Sequence, residues 1–140
     1  MRKITIYNIL LLCLFVSCEP VLHADIINES DQDILLEIVF DKATLEEGWN
    51  GKPYIEFLKS YPNYNGISNL KFDSVELKSI YKIKSKASFP LESGIGHEPD
   101  FKLFRRIRIF NKDTITLENK EEIVNAFVKS DKRTWELQVK

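Results

Sequence analysis

Apolar and polar residues alternate over most of the chain beyond residue 25. Ile34, Leu36, Ile38 and Phe40 take the even positions of one run, which predicts a strand facing a core. Leu35 and Val39 are apolar too, so this strand is expected to be central and covered on both faces. Asp25–Asn28 before it reads as a brief strand, and Glu29–Asp33 as a polar turn. Strands follow at Leu70–Leu77 and Ile80–Ser85, the latter with Tyr81 and Ile83 on one face and Lys82 and Lys84 on the other. Ala87–Leu91 either extends that strand or forms a new short one, and Ser93–Asp100 reads as a loop. Phe104–Phe110 alternates again, with Ile107 and Ile109 inward and Arg106 and Arg108 outward. Asn111–Asp113 is a hairpin turn and Thr114–Leu117 its return strand. Trp135, Leu137 and Val139 mark a last strand, which needs a partner because a bare apolar edge invites aggregation.

One helix is signalled clearly. Asn119 is a good N-cap, and Glu122 follows three residues later as in a capping box. Ile123 with Phe127, and Val124 with Val128, give an apolar stripe, and Lys129 lies where the helix dipole favours a cation. The segment 41–66 has no single period. Leu45–Gly51 is turn-rich, Tyr54–Leu58 suits a short strand or one or two helical turns, and Pro62–Gly66 is a turn cluster. Seven or eight short strands with one short helix before the last predict a mainly β protein. The expected architecture is an antiparallel β-sandwich, with an immunoglobulin-like arrangement as one form of it and a small barrel as the alternative.

The N-terminus has a different pattern. Arg2 and Lys3 precede an apolar run from Ile9 to Val16, and Phe15-Val16-Ser17-Cys18 closes it. The run is too short to span a bilayer comfortably and has the layout of an export signal. The closing tetrapeptide resembles the lipobox of bacterial lipoproteins, with Phe15 in place of the usual leucine. That resemblance covers residues 1–18. It implies a signal peptide over 1–17, lipid attachment at Cys18, and anchoring to a membrane of the bacterial envelope, the outer membrane more than the inner. Several acyl chains on one residue would hold the protein firmly where one would not. Residues 18–24, with Pro20, read as a tether, and 25–140 as one domain. The order of strands, hairpin and Trp-x-Leu-x-Val end also looks like small β-sandwich lipoproteins of bacterial envelopes.

Charge and cysteine content narrow the chemistry. The chain carries 20 Lys and Arg against 21 Asp and Glu, a net charge of −1. Arg2 and Lys3 leave with the signal, which makes the remainder more acidic still. A dedicated nucleic-acid binder would show a basic surplus, so nucleic acid is not an expected partner. The two cysteines are Cys13, inside the signal, and Cys18. The domain is thus expected to have no disulfide, thiolate nucleophile or cysteine metal site, and no cofactor is expected.

Three groups of residues are candidates for function. Trp49, Tyr54, Phe57, Tyr61 and Tyr64 lie in a Gly/Asn-rich stretch, where flat aromatic faces suit a sugar ring or a protein partner. Of these, Trp49, Tyr54 and Phe57 are more simply explained as caps on one end of the core, and Tyr61 and Tyr64 are expected to be exposed. Lys82, Lys84 and Lys86 share a strand face, as do Arg106 and Arg108, which would form a cationic ridge if the strands were neighbours. A solvated sheet face that protects the edges from pairing explains the same residues more simply. His97, Glu98 and Asp100 bring an imidazole near two carboxylates, although a loop turned by Pro99 accounts for them. The adjacent pairs Glu46/Glu47 and Glu121/Glu122 diverge and do not form an acid–base dyad. These observations favour a non-enzymatic, membrane-tethered binding or accessory module that contacts an envelope protein or glycan. An immunity-type or inhibitor lipoprotein is the alternative, and a hydrolase of envelope polymers ranks behind both.

Overall fold

The computed structural model of the chain describes residues 19–50, 52–62, 67 and 69–140, and Cys18 and Tyr64 lie outside them. Among the described residues there are nine strands: β1 (Val21–Asn28), β2 (Ile34–Phe40), β3 (Asn69–Asp73), β4 (Lys78–Ile83), β5 (Ser88–Ile95), β6 (Phe104–Phe110), β7 (Thr114–Leu117), β8 (Val128–Lys129) and β9 (Thr134–Val139). Three helices join them: α1 (Lys42–Trp49), α2 (Ile55–Ser60) and α3 (Lys120–Ala126). The strands form a four-stranded sheet in the order β5-β1-β9-β8 and a five-stranded sheet in the order β3-β4-β2-β6-β7.

The two sheets enclose one core. Ala24 and Ile26 of β1, Phe89 and Leu91 of β5, and Leu137 and Val139 of β9 face Leu36, Ile38, Tyr81, Ile107 and Ile109 of the other sheet. The rings of Tyr81 and Phe89 meet across the gap with centroids 4.9 Å apart. Burial pushes the Tyr81 phenol up to about 12, and its hydroxyl donates to the Tyr61 carbonyl at 2.6 Å. The mainly β sandwich is therefore present, and β2 is central, flanked by β4 and β6.

Several expectations change. The sandwich is not wholly antiparallel, because β1 pairs with β9 in parallel, His23 beside Thr134 through Asn28 beside Val139. β1 and β2 lie in different sheets, whereas strands A and B of a constant-type immunoglobulin domain share one. The tether expected over 18–24 is shorter: β1 begins at Val21 and already buries Leu22 and Ala24. The cause is alternation that starts with Leu22, Ala24 and Ile26, ahead of the expected strand. The outer face of β2 is only partly covered, since Val39 is buried but Leu35 is 41% exposed.

The elaborated connection contains two helices: α1 lies where Leu45–Gly51 was expected to turn, and α2 takes the helical of the two forms open to Tyr54–Leu58. Asp41 caps α1 by accepting from the Thr44 amide at 2.8 Å, and Asn50 ends it in the left-handed region. Leu45 and Leu58 bury one side of α1 and α2 against the core. In α3, Asn119 accepts from the Glu122 amide, and the Glu122 carboxylate reaches back to accept from the Asn119 side-chain amide and from the backbone amide of Glu118. Only half of the predicted stripe is used: Ile123 and Phe127 are buried, while Val124 and Val128 are exposed. Lys129 belongs to β8 rather than to a helix end, and lies over the Trp135 ring. The segment 93–100 is also only partly loop, because β5 runs to Ile95. Pro90 is tolerated inside β5 because that strand is a sheet edge, where one N–H has no partner to lose.

At one end of the sandwich the chain crosses between sheets twice, through 29–33 and 84–87. Asn28, fully buried, ties both crossings. Its amide donates to the carbonyls of Gln32 at 2.8 Å, Lys84 at 3.0 Å and Ile83 at 3.3 Å, and its oxygen accepts from the Ser30 amide and hydroxyl. The opposite end carries the helices, the 96–103 loop and the start of β1.

Candidate binding groove

The aromatic residues of the 41–62 connection gather at that helical end. Trp49, the last residue of α1, packs on Phe57 with centroids 4.8 Å apart and meets Tyr54 edge-on at 6.5 Å. Phe57 leads to Tyr61 at 5.6 Å, and Tyr61 meets Phe40 edge-on and Phe104 at a tilt. The cluster continues the core outward, so Trp49 and Tyr54 cap it as packed, partly buried residues. Tyr61 departs from the expected exposure. It is half-buried, and its hydroxyl donates to the Leu91 carbonyl, joining α2 to β5.

Beside this contact lies a groove of about 550 Å³. Phe57, Tyr61 and Pro62 form one wall, and Pro90 and Leu91 of β5 the other. Glu92 and Asp100 bring carboxylates to its rim, and Lys102 an ammonium. The groove lining joins Pro90–Ser93 of β5 in one sheet to Phe104 of β6 in the other. Its surface is apolar in the walls and charged at one rim, the usual composition of a site that holds a flat or amphipathic ligand.

Glu92 is the residue of this site that sequence reasoning missed. Its carboxylate turns inward and accepts from the amides of Asp100 at 3.2 Å and Phe101 at 2.9 Å. These bonds hold a turn in which Phe101 has a φ of 53° yet is buried. Burial pushes the Glu92 carboxyl above its usual range, and the two amide donors only partly offset that. The alternation of Phe89 and Leu91 predicts the strand but places Glu92 on the opposite face, and nothing in the sequence shows that the 100–101 turn folds onto it.

The basic residues do not make a continuous ridge. β4 and β6 share the outer face of the larger sheet, but β2 lies between them and brings Glu37 into the middle. Glu37 is 9% exposed and faces Arg106 Nη2 at 3.2 Å and Arg108 Nη1 at 3.8 Å, and Glu118 closes the network on the far side. Arg106 Nε is buried with no hydrogen-bond partner among the described residues. Lys82 is paired with Asp33 at 2.8 Å and Lys86 with Asp31 at 2.9 Å. Those lysines hydrogen-bond to the two aspartates and draw their carboxyls below the usual range. Lys84 and Lys86 lie beyond the end of β4, and Lys86 has a φ of 59°, so the period-2 face ends at Lys82. The arrangement is a balanced ionic lattice over a sheet face.

His97, Glu98 and Asp100 are likewise drawn apart. His97 is exposed, its Nδ1 lies 3.1 Å from the Glu98 carbonyl, and its ring lies over Gly94. Glu98 pairs with Lys129 at 2.9 Å, and Asp100 with Lys102 at 2.6 Å. Among the described residues no group of three His, Cys, Asp or Glu side chains is gathered as metal ligands. Among the same residues no helix is long and apolar enough to cross a membrane.

The fold and the groove define a two-sheet β protein with an apolar cleft at one end. No protein-family model, curated protein or solved structure matches the chain.

Proposed function

We propose that this chain is a lipoprotein of the bacterial cell envelope, anchored through lipid on Cys18, whose sandwich acts as a non-enzymatic binding or accessory module. The observation that carries the binding reading is the groove between α2 and β5, with apolar walls from Phe57, Tyr61, Pro62, Pro90 and Leu91. Its rim groups are engaged in structural bonds: Glu92 holds backbone amides and Asp100 pairs with Lys102. The partner is an envelope protein or a glycan. The anchor reading is supported by the charge, apolar run, small residue and cysteine in order over residues 1–18.

The test is cross-linking and pull-down from intact envelopes with wild type, Cys18→Ala and Phe57→Ser. Phe57 is at the surface edge of the groove, so its replacement leaves the core in place. Cys18→Ala should lose palmitate labelling and leave the membrane fraction. Phe57→Ser should stay anchored and lose the captured partner. Full capture by Phe57→Ser would refute the groove reading, and labelled Cys18→Ala would refute the anchor. A single tight partner whose lethal activity the wild type neutralises would move the assignment to the immunity-type alternative.

A further inference from the structure

The start of β1 offers a surface that the groove does not use. Pro20 is fixed to the sandwich, because its carbonyl accepts from the Gly96 amide at 3.0 Å. Glu19 is exposed, but its carboxylate lies over the same turn: a Cβ on Gly96 would stand 2.7 Å from one of its oxygens. Gly96 has a φ of 73°, which lets the chain turn beneath that carboxylate. Only two peptide units separate Cys18 from Pro20, a reach of about 7 Å. A lipid on Cys18 therefore has no free linker and would hold this end of the four-stranded sheet against the bilayer.

Two apolar side chains stand there. Val21 and Ile95 are directly opposite each other across β1 and β5, and they are 43% and 64% exposed. Lys132 and Arg133, both exposed, come from the turn between β8 and β9 and border a depression shared with Pro20 and Val21. Nearby acids balance these cations: Glu19 lies over Gly96, and Asp131 accepts from the Arg133 amide and the Thr134 hydroxyl. The contact is thus apolar at its centre and close to neutral at its rim.

We propose that this end of the sandwich is a membrane-contact surface, with Val21 and Ile95 seated at the boundary of headgroups and acyl chains of a phospholipid bilayer. The proposal rests on lipid attachment at Cys18 and adds the orientation of the domain. Residues of an interfacial surface sit roughly 5–10 Å into that boundary. The crossover end lies a strand's length away, about 25 Å for eight residues, and stays in water. The groove opens at the anchored end, so its partner would be met close to the membrane. Because the rim charges balance, zwitterionic lipid suffices for the contact.

The test uses lipidated full-chain protein in phosphatidylcholine vesicles, with a nitroxide on Ile95→Cys or, at the crossover end, on Asp113→Cys. Mass spectrometry first establishes whether Cys18 carries acyl chains, which also blocks its thiol to the label. Collision with a water-soluble nickel chelate is then compared with the same labelled proteins bearing Cys18→Ala in solution. The expected result is a severalfold loss of collision at position 95 and none at 113. Acylated protein in which position 95 stays as accessible as 113 would overturn the contact surface and leave the lipoprotein reading standing. Absence of acyl chains on Cys18 would overturn both.

Discussion

Replacing Asn28 with alanine should be the most damaging polar substitution in the sandwich. The side chain donates to three carbonyls, two from the 84–87 crossing and its approach and one from the 29–33 turn, while accepting twice from Ser30. Each net hydrogen bond is worth about 1 kcal/mol, and a carbonyl left buried without a donor costs about 1–3 kcal/mol. The Ile83 carbonyl is the fully buried one, whereas those of Gln32 and Lys84 are within reach of water. The loss for Asn28→Ala then comes to about 3 kcal/mol. With an unfolding entropy of about 2.1 cal/mol/K per residue over about 120 folded residues, Tm should fall by about 12 °C. Asn28→Asp keeps the shape but turns an oxygen toward the three carbonyls, so at neutral pH it should fall further and recover partly as the carboxyl protonates. Thermal melts followed by far- and near-ultraviolet circular dichroism, with urea titrations to check that the m-value holds, measure both variants. A drop of less than about 4 °C for Asn28→Ala would show that this side chain does not fasten the crossings.

Three further outcomes follow from the same geometry. Glu92 is a carboxyl raised by burial, so the folded state binds its proton more tightly than the unfolded chain. Stability from this group therefore rises as pH falls from the raised value toward the ordinary carboxylate range, and is lost as pH climbs back. Glu92→Gln keeps one of the two acceptor oxygens and sets its NH2 against the other amide, so it should lower stability at every pH and also remove that slope; an unchanged difference between the two melting curves across pH 4.5–7 would contradict it. Glu37→Ala leaves Arg106 and Arg108 facing each other with Glu118 as their remaining partner, and should lower stability by about 2 kcal/mol, against about 0.5 kcal/mol for Glu118→Ala at the exposed rim. Equal urea midpoints for the two variants would show that burial of Glu37 is immaterial. Gly96→Ala forces a residue with a side chain into a positive φ and displaces the Glu19 carboxylate, at roughly 1–2 kcal/mol. Its effect should be local, seen as faster amide exchange at residue 96 with little change at Ile26 or Ile38, and uniform acceleration would argue against a local knot.

Most of the strands were legible because period-2 alternation survives in them. β2, β6, β7 and β9 each keep apolar residues on one face, and their sheet partners preserve that register. The helix α1 was not legible, and α2 only as one of two forms open to Tyr54–Leu58, because each is short and buries mainly one leucine, Leu45 or Leu58, too little to set a 3.6-residue period. Their Gly48, Asn50 and Gly51 signal turns locally, and tertiary packing on the core overrides that signal. The parallel pairing of β1 with β9 was out of reach for another reason: it joins the two ends of the domain, and nothing in either strand's pattern names its partner.

The candidate site was legible as residue types and not as an arrangement. Composition placed aromatics in 41–62, but only the fold brings Phe57 and Tyr61 against Pro90 and Leu91, some thirty residues on. The same fold dissolves the cationic ridge, because β2 inserts Glu37 between two basic strands. Charge repulsion between β4 and β6 is thereby exchanged for an ionic lattice at the centre of the sheet. A period-2 pattern reports which face a residue takes, whereas strand order decides which charges on that face meet. Here strand order neutralises the flat face and leaves relief at the end where helices, groove and the start of β1 converge. That is the end a lipid on Cys18 would bring to the membrane, so the proposed anchoring and binding would act on one pole of the domain while Asn28 fastens the other.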